Sequence, residues 1–139
     1  MYDKERITKI IADIEKFQRE LGEMKIVSKE DLQKVEKKHA VAMVSFAILN
    51  RVIDLGQEIL IAEKRGMPSR YADISLELAK AGVMNKNEAE EINKLIELRN
   101  IIAHTYFELG EKEIWRLVQG KSTITKYIEQ IKKRVSGKK

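Results

Sequence analysis

Apolar residues recur along this chain at intervals of three and four rather than two, a period that predicts helices from end to end. Ile7, Ile10, Ile11, Ile14, Phe17 and Leu21 form the first stripe, with Asp3 placed as its N-cap and Gly22 as its stop. Ser28 to Asp31 reads Ser-Lys-Glu-Asp, a capping box with Asp in place of the usual Glu. From there a second helix is predicted to run unbroken to about Lys64. Its packing face carries Leu32, Val35, His39, Ala42, Met43, Phe46, Leu49, Val52, Ile53, Ile59 and Leu60. Such a length marks the central helix of a bundle. Val41, Val44, Ile48 and Leu55 add another apolar stripe to it, to be covered either by burial mid-bundle or by a second copy of the chain.

Punctuation divides the rest. Gly66 and Pro68 close the long helix, a short helix is predicted over 71–81, and Gly82 stops it. Asn85 with Glu88 three residues on marks the next N-terminus, followed by Ala89, Ile92, Leu95, Ile96, Leu98, Ile101 and Ile102. After the turn at Gly110, residues 111–135 read as helix again with a break at Gly120, and Trp115 and Tyr127 fit core spacing. No strand alternation and no solenoid period is visible. The expected fold is all-α, an up-and-down bundle of four to six helices around a long second helix. It is read as one domain over 1–139, with 132–139 a basic tail open to disorder.

Composition narrows the chemistry. At 139 residues the chain supports one core, and 43% hydrophobic with 35% charged residues is too apolar for a disordered chain. The absence of cysteine excludes disulfides, thiol catalysis and cysteine metal sites. The two histidines, His39 and His104, lack ligand spacing, so no metal and no cofactor is expected. Charges throughout the first twenty residues argue against a secretory signal, and no window reads as the run of roughly 20 apolar residues that a membrane span needs. A cytoplasmic protein without a membrane partner is the expectation. A net charge of +5 permits an anionic partner, although part of it lies in the terminal KKRVSGKK.

One stretch breaks the amphipathic pattern: RNIIAHTY at 99–106. Asn100 and His104 are four apart and share a helix face, while Arg99 is offset by about 140°. Arginine presents five fixed donors suited to phosphate oxygens, histidine exchanges a proton near neutral pH, asparagine holds a tautomer or an oxygen, and tyrosine donates or stacks. Without a metal, such a set fits attack of a ribose 2′-OH on its neighbouring phosphate. The plain alternative is a helix end, with His104 facing the helix dipole and Arg99 paired to Glu97 or Glu108. On the long helix, Asp54 and Glu58 lie four apart with Arg51 within a turn. They are read either as lining the same site or as a solvated, salt-bridged face.

The pattern Arg99-Asn100-x-x-x-His104-x-Tyr106 resembles the R-x4-H-x-Y signature of the HEPN superfamily, and the chain is most similar to its stand-alone HepT toxins. The likeness extends over nearly the whole chain: a first helix, a long second helix with the acidic stretch at 53–58, a short helix after Pro68, and the motif about 30 residues later. The resemblance implies a metal-independent endoribonuclease toxin acting on RNA, with Arg99 and His104 catalytic and Asn100 and Tyr106 in support. It further implies a homodimer that joins two motifs in one cleft. It also implies a minimal nucleotidyltransferase antitoxin that transfers AMP to Tyr106. A non-catalytic helical partner or nucleotide-binding subunit of such a nucleotidyltransferase is the alternative the family allows.

Overall fold

The computed structural model describes residues 1–137 and contains, among them, six α-helices and no strand. They are α1 (Lys4–Glu23), α2 (Val35–Ala62), α3 (Ile74–Lys80), α4 (Lys86–His104), α5 (Glu111–Gln119) and α6 (Lys121–Ser136). Short 3-10 segments precede α2 (Lys29–Gln33), precede α3 (Tyr71–Asp73) and follow α4 (Tyr106–Glu108). The starts follow from side chains that satisfy the free N–H groups of a first turn. Asp3 accepts from Arg6 N at 3.0 Å, and Asn85 accepts from Glu88 N at 2.8 Å while Glu88 reaches back to Asn85 N. Gly82 stops the short helix with a φ of 81°, as the sequence implies.

α2 is the central element and packs against α1, α3, α4 and α5. Val41, Ile48 and Leu55 are buried, so other helices of the same chain cover that stripe. α2 is also long and apolar enough to cross a membrane, contrary to the sequence expectation. Half of its most apolar window is buried inside the bundle, as in a core helix.

The long second helix does not begin at Ser28. The Asp31 carboxylate accepts from Val27 N and Ser28 N, closing a tight 3-10 turn, and Lys34 is extended at φ −75° and ψ 118° before α2 starts. The break lets Leu32 turn fully into the core. Val35 and Met43, expected on the packing face, are exposed. At the other end Lys64 (φ 58°) follows the Glu63 C-cap in a left-handed conformation, two residues ahead of the expected Gly66, which is itself left-handed at φ 79°. Residues 132–136 are not a tail: they complete α6, where Arg134 pairs with Glu63 of the α2 C-cap at 2.7 Å. Lys138 and Lys139, the last of the expected tail, lie outside the described residues.

Helix contact sets the tightest spots. Gly56 faces α3 and α6, where an added Cβ would stand 2.5 Å from Ile74 Cγ2 and 2.7 Å from the Tyr127 hydroxyl. That hydroxyl donates to Val52 O at 2.8 Å. Tyr127 thus satisfies its polar end while its ring fills the core, as its spacing predicts.

Candidate functional site

The motif occupies the last turn of α4 and the turn beyond it. His104 is the final α-helical residue. Thr105 leaves the helix at φ −140° and ψ 48°, although its N–H still bonds Ile101 O at 2.8 Å. Tyr106 therefore opens a 3-10 turn and swings back toward α2. His104 itself is solvent-exposed.

Arg99 points across to α2. Its Nε donates to Asn50 Oδ1 at 2.7 Å and its Nη1 to Asn100 Oδ1 at 3.0 Å. Its guanidinium carbon lies 5.2 Å from the ring centre of Phe46 and 5.1 Å from that of Tyr71, so two aromatic rings hold the cation. The salt bridges found among the described residues do not include Arg99, and the pairing with Glu97 or Glu108 does not form. Its hydrogen-bond partners are neutral amides, which orient the guanidinium and leave its charge uncancelled.

Tyr106 hydrogen-bonds His39 Nδ1 from α2, with the rings 5.6 Å apart and tilted by 40°. Burial pushes its hydroxyl above the usual tyrosine range, so the phenol is neutral near pH 7. It then donates to Nδ1 when the imidazole proton sits on Nε2. His39, expected on the apolar side of the long helix, is exposed and faces the motif.

Four α2 residues line up here: His39, Met43, Phe46 and Asn50, at successive spacings of four, three and four. Phe46 and Asn50 hold Arg99, His39 meets Tyr106, and Met43 is 64% exposed on the same stripe. Asn50, Phe46, His39 and Tyr71 are the site neighbours that motif reading misses. The available signal was a helical stripe that begins and ends on polar residues.

Arg51, Asp54 and Glu58 are not brought to the motif by their contacts. Arg51 pairs with Asp13 of α1 at 2.9 Å and with Asp54 at 3.0 Å, and Glu58 pairs with Arg6 of α1. A step of one residue turns a helix by about 100°, so Asn50 faces α4 while Arg51 faces α1. Lys9, and then Arg51, hold the Asp13 carboxyl below the ordinary carboxylate range. This face of α2 is an ion-pair seam between two helices.

The arrangement combines a fixed, uncancelled guanidinium, an exposed imidazole and a flanking neutral phenol, a set able to bind an anionic oxygen and move a proton. No group of three or more His, Cys, Asp or Glu that could hold a metal occurs among the described residues.

Similar proteins share this frame. The cytosolic protein YutE of Bacillus subtilis is 21% identical, with 99% of this chain and 94% of that one covered at a TM-score of 0.83. A tri-AMPylated Shewanella oneidensis HEPN toxin in complex with MNT antitoxin is 22% identical, with 95% and 98% covered at 0.83. A toxin–antitoxin structure with AMP-PNP is 21% identical, with 91% and 96% covered at 0.82. No curated protein matches the chain. The model of the HepT-like ribonucleases matches residues 7–135, and the chain belongs to that family.

Proposed function

We propose that this protein is the toxin of a toxin–antitoxin pair, a metal-independent endoribonuclease of the cytoplasm whose catalytic groups are Arg99 and His104. The observation that carries the reading is the uncancelled Arg99 guanidinium, held against the rings of Phe46 and Tyr71 five residues before the exposed His104. In the proposed reaction a ribose 2′-OH attacks the adjacent phosphorus and the P–O5′ bond breaks, leaving a 2′,3′-cyclic phosphate and a 5′-hydroxyl. One imidazole accepts the 2′ proton and one protonates the leaving oxygen, while Arg99 meets the charge on the non-bridging oxygens. A homodimer places two copies of His104 in one cleft and divides these two tasks between them. The apolar surface beside the motif supports that assembly: Phe107 is 85% exposed and Met43 64%.

Control by a nucleotidyltransferase antitoxin acts at Tyr106. Tyr106 is a partly exposed residue beside the motif, and the Shewanella oneidensis relative is AMPylated in its antitoxin complex. AMP on Tyr106 puts negative charge and bulk where RNA phosphate is to sit.

The test is incubation of the purified chain with RNA in EDTA. Products ending in 2′,3′-cyclic phosphate are expected, and His104→Ala should slow their formation by about 10²- to 10⁴-fold. Undiminished cleavage by His104→Ala would refute the assignment. Co-expression with an adjacent nucleotidyltransferase should add mass in AMP increments to wild type but not to Tyr106→Phe.

A further inference from the structure

Away from the motif, a cavity of about 400 Å³ opens where the end of α1 and the loop after it meet α2, α4, α5 and α6. Its volume is in the range that takes a small organic ligand. Ile48, Leu49, Leu95 and Ile124 give it apolar walls, and Arg99 and His104 are not among its lining residues. Three buried side-chain polar atoms lack a hydrogen-bond partner among the described residues, and two of them, Gln18 Nε2 and Ser45 Oγ, belong to residues that line this cavity. Ser45 is only 4% exposed. A buried donor or hydroxyl left without a partner is costly, so two beside one cavity call for a partner that fills it. Lys25 and Lys121 also line it and are exposed, which places positive charge at its mouth.

We propose that this cavity is a binding site for a small amphipathic organic anion, an apolar body with one carboxylate-like head. The four aliphatic side chains exclude a polar ligand such as a free nucleotide from the interior. Gln18 supplies a donor and Ser45 a hydroxyl for a head-group oxygen, and the two lysines select a negative charge over a positive one. Each methylene that leaves water for such walls tightens binding about fourfold, so the chain provides the affinity and the head its selectivity.

Three probes with one tail and different heads test this: decanoate, 1-decanol and decyltrimethylammonium, followed by titration calorimetry and thermal melting of the full chain. Decanoate is expected to bind, to raise the melting temperature, and to bind about three- to tenfold more tightly than decanol, with the ammonium weakest. The double variant Lys25→Glu, Lys121→Glu should abolish that order and leave decanol affinity unchanged. Ser45→Leu, which fills the cavity, should abolish all three, while Ser45→Ala, which keeps the space, should weaken decanoate more than decanol. Several outcomes would overturn the proposal: no binding of decanoate at millimolar concentration, as for a cavity holding only water or awaiting a partner helix; equal binding of all three probes; or an order unchanged in the lysine variant. If Ser45→Leu fails to fold, the lysine variant decides alone, because both of its positions are exposed.

Discussion

Arg99 is held by flat surfaces as much as by hydrogen bonds, and a lysine reproduces neither. Its planar fork lies against the rings of Phe46 and Tyr71 while Nε and Nη1 remain fixed by two asparagines. An ammonium is a compact, strongly hydrated charge that would lose the ring stacking and the bidentate reach. Arg99→Lys is therefore expected to lower RNA cleavage by about 10²- to 10³-fold, the cost of one displaced transition-state donor, with the melting temperature within a few degrees of wild type. Equal activity would show that only charge matters at this position. Glu63 offers a second prediction. Arg134, and then Tyr2, hold its carboxyl below the ordinary value of 4.5, so the folded state keeps it ionised. A depressed carboxyl pKa adds stability that is present above 4.5 and is lost as pH falls through the lower folded value. Glu63→Gln should thus melt about 3–5 °C lower than wild type at neutral pH, the equivalent of about 1 kcal/mol, with the gap closing in acid. Melts across that range check the sign. At this scale the sequence was most informative about the motif itself, since Arg99, Asn100, His104 and Tyr106 are neighbours along the chain. Their partners His39, Asn50 and Tyr71 were not legible, because contacts across some thirty to seventy residues depend on helix packing.

The close approaches between helices rest on glycines more than on large side chains. At Gly56 the backbone of α2 lies against Ile74 of α3 and Tyr127 of α6, with no room for a methyl group. Gly56→Ala is expected to destabilise the chain by about 1–3 kcal/mol through overpacking, and to weaken the Tyr127 hydrogen bond to Val52 O. Chemical denaturation measures the loss; an alanine variant as stable as wild type would mean that α3 yields at no cost. Periodicity placed the helices and most of the core well, because one buried face imposes the same spacing on any sequence. It failed at Lys34, where a 3-10 turn and one extended residue interrupt a pattern that reads as continuous. Leu32 lies in phase with the apolar residues of α2, so spacing alone could not reveal the interruption. The capping box at Ser28 was the local signal, and its shorter Asp31 ties the turn more tightly than Glu would.

For the whole molecule, the proposed shared cleft makes activity depend on assembly. Sedimentation should find a dimer at micromolar concentration. Phe107→Glu, which charges an aromatic ring that is 85% exposed, should weaken the dimer by about thirtyfold, near 2 kcal/mol, and lower cleavage in proportion at dilute concentration. A fully active monomer would count against the shared cleft. The charge seams follow the same large-scale division. On the α1 side of α2, Arg6, Lys9 and Arg51 are matched by Glu58, Asp13 and Asp54, so that face presents little net field. On the α4 side, Arg99 rests on amides and rings alone. An uncompensated cation in water gathers small anions around it, and a polyanion that takes their place sheds counterions of its own. With an amide and no carboxylate at position 50, that cation stays available to phosphate, so under the proposed function oligonucleotide affinity should fall log-linearly with salt, with a slope that counts the phosphates Arg99 and its neighbours neutralise.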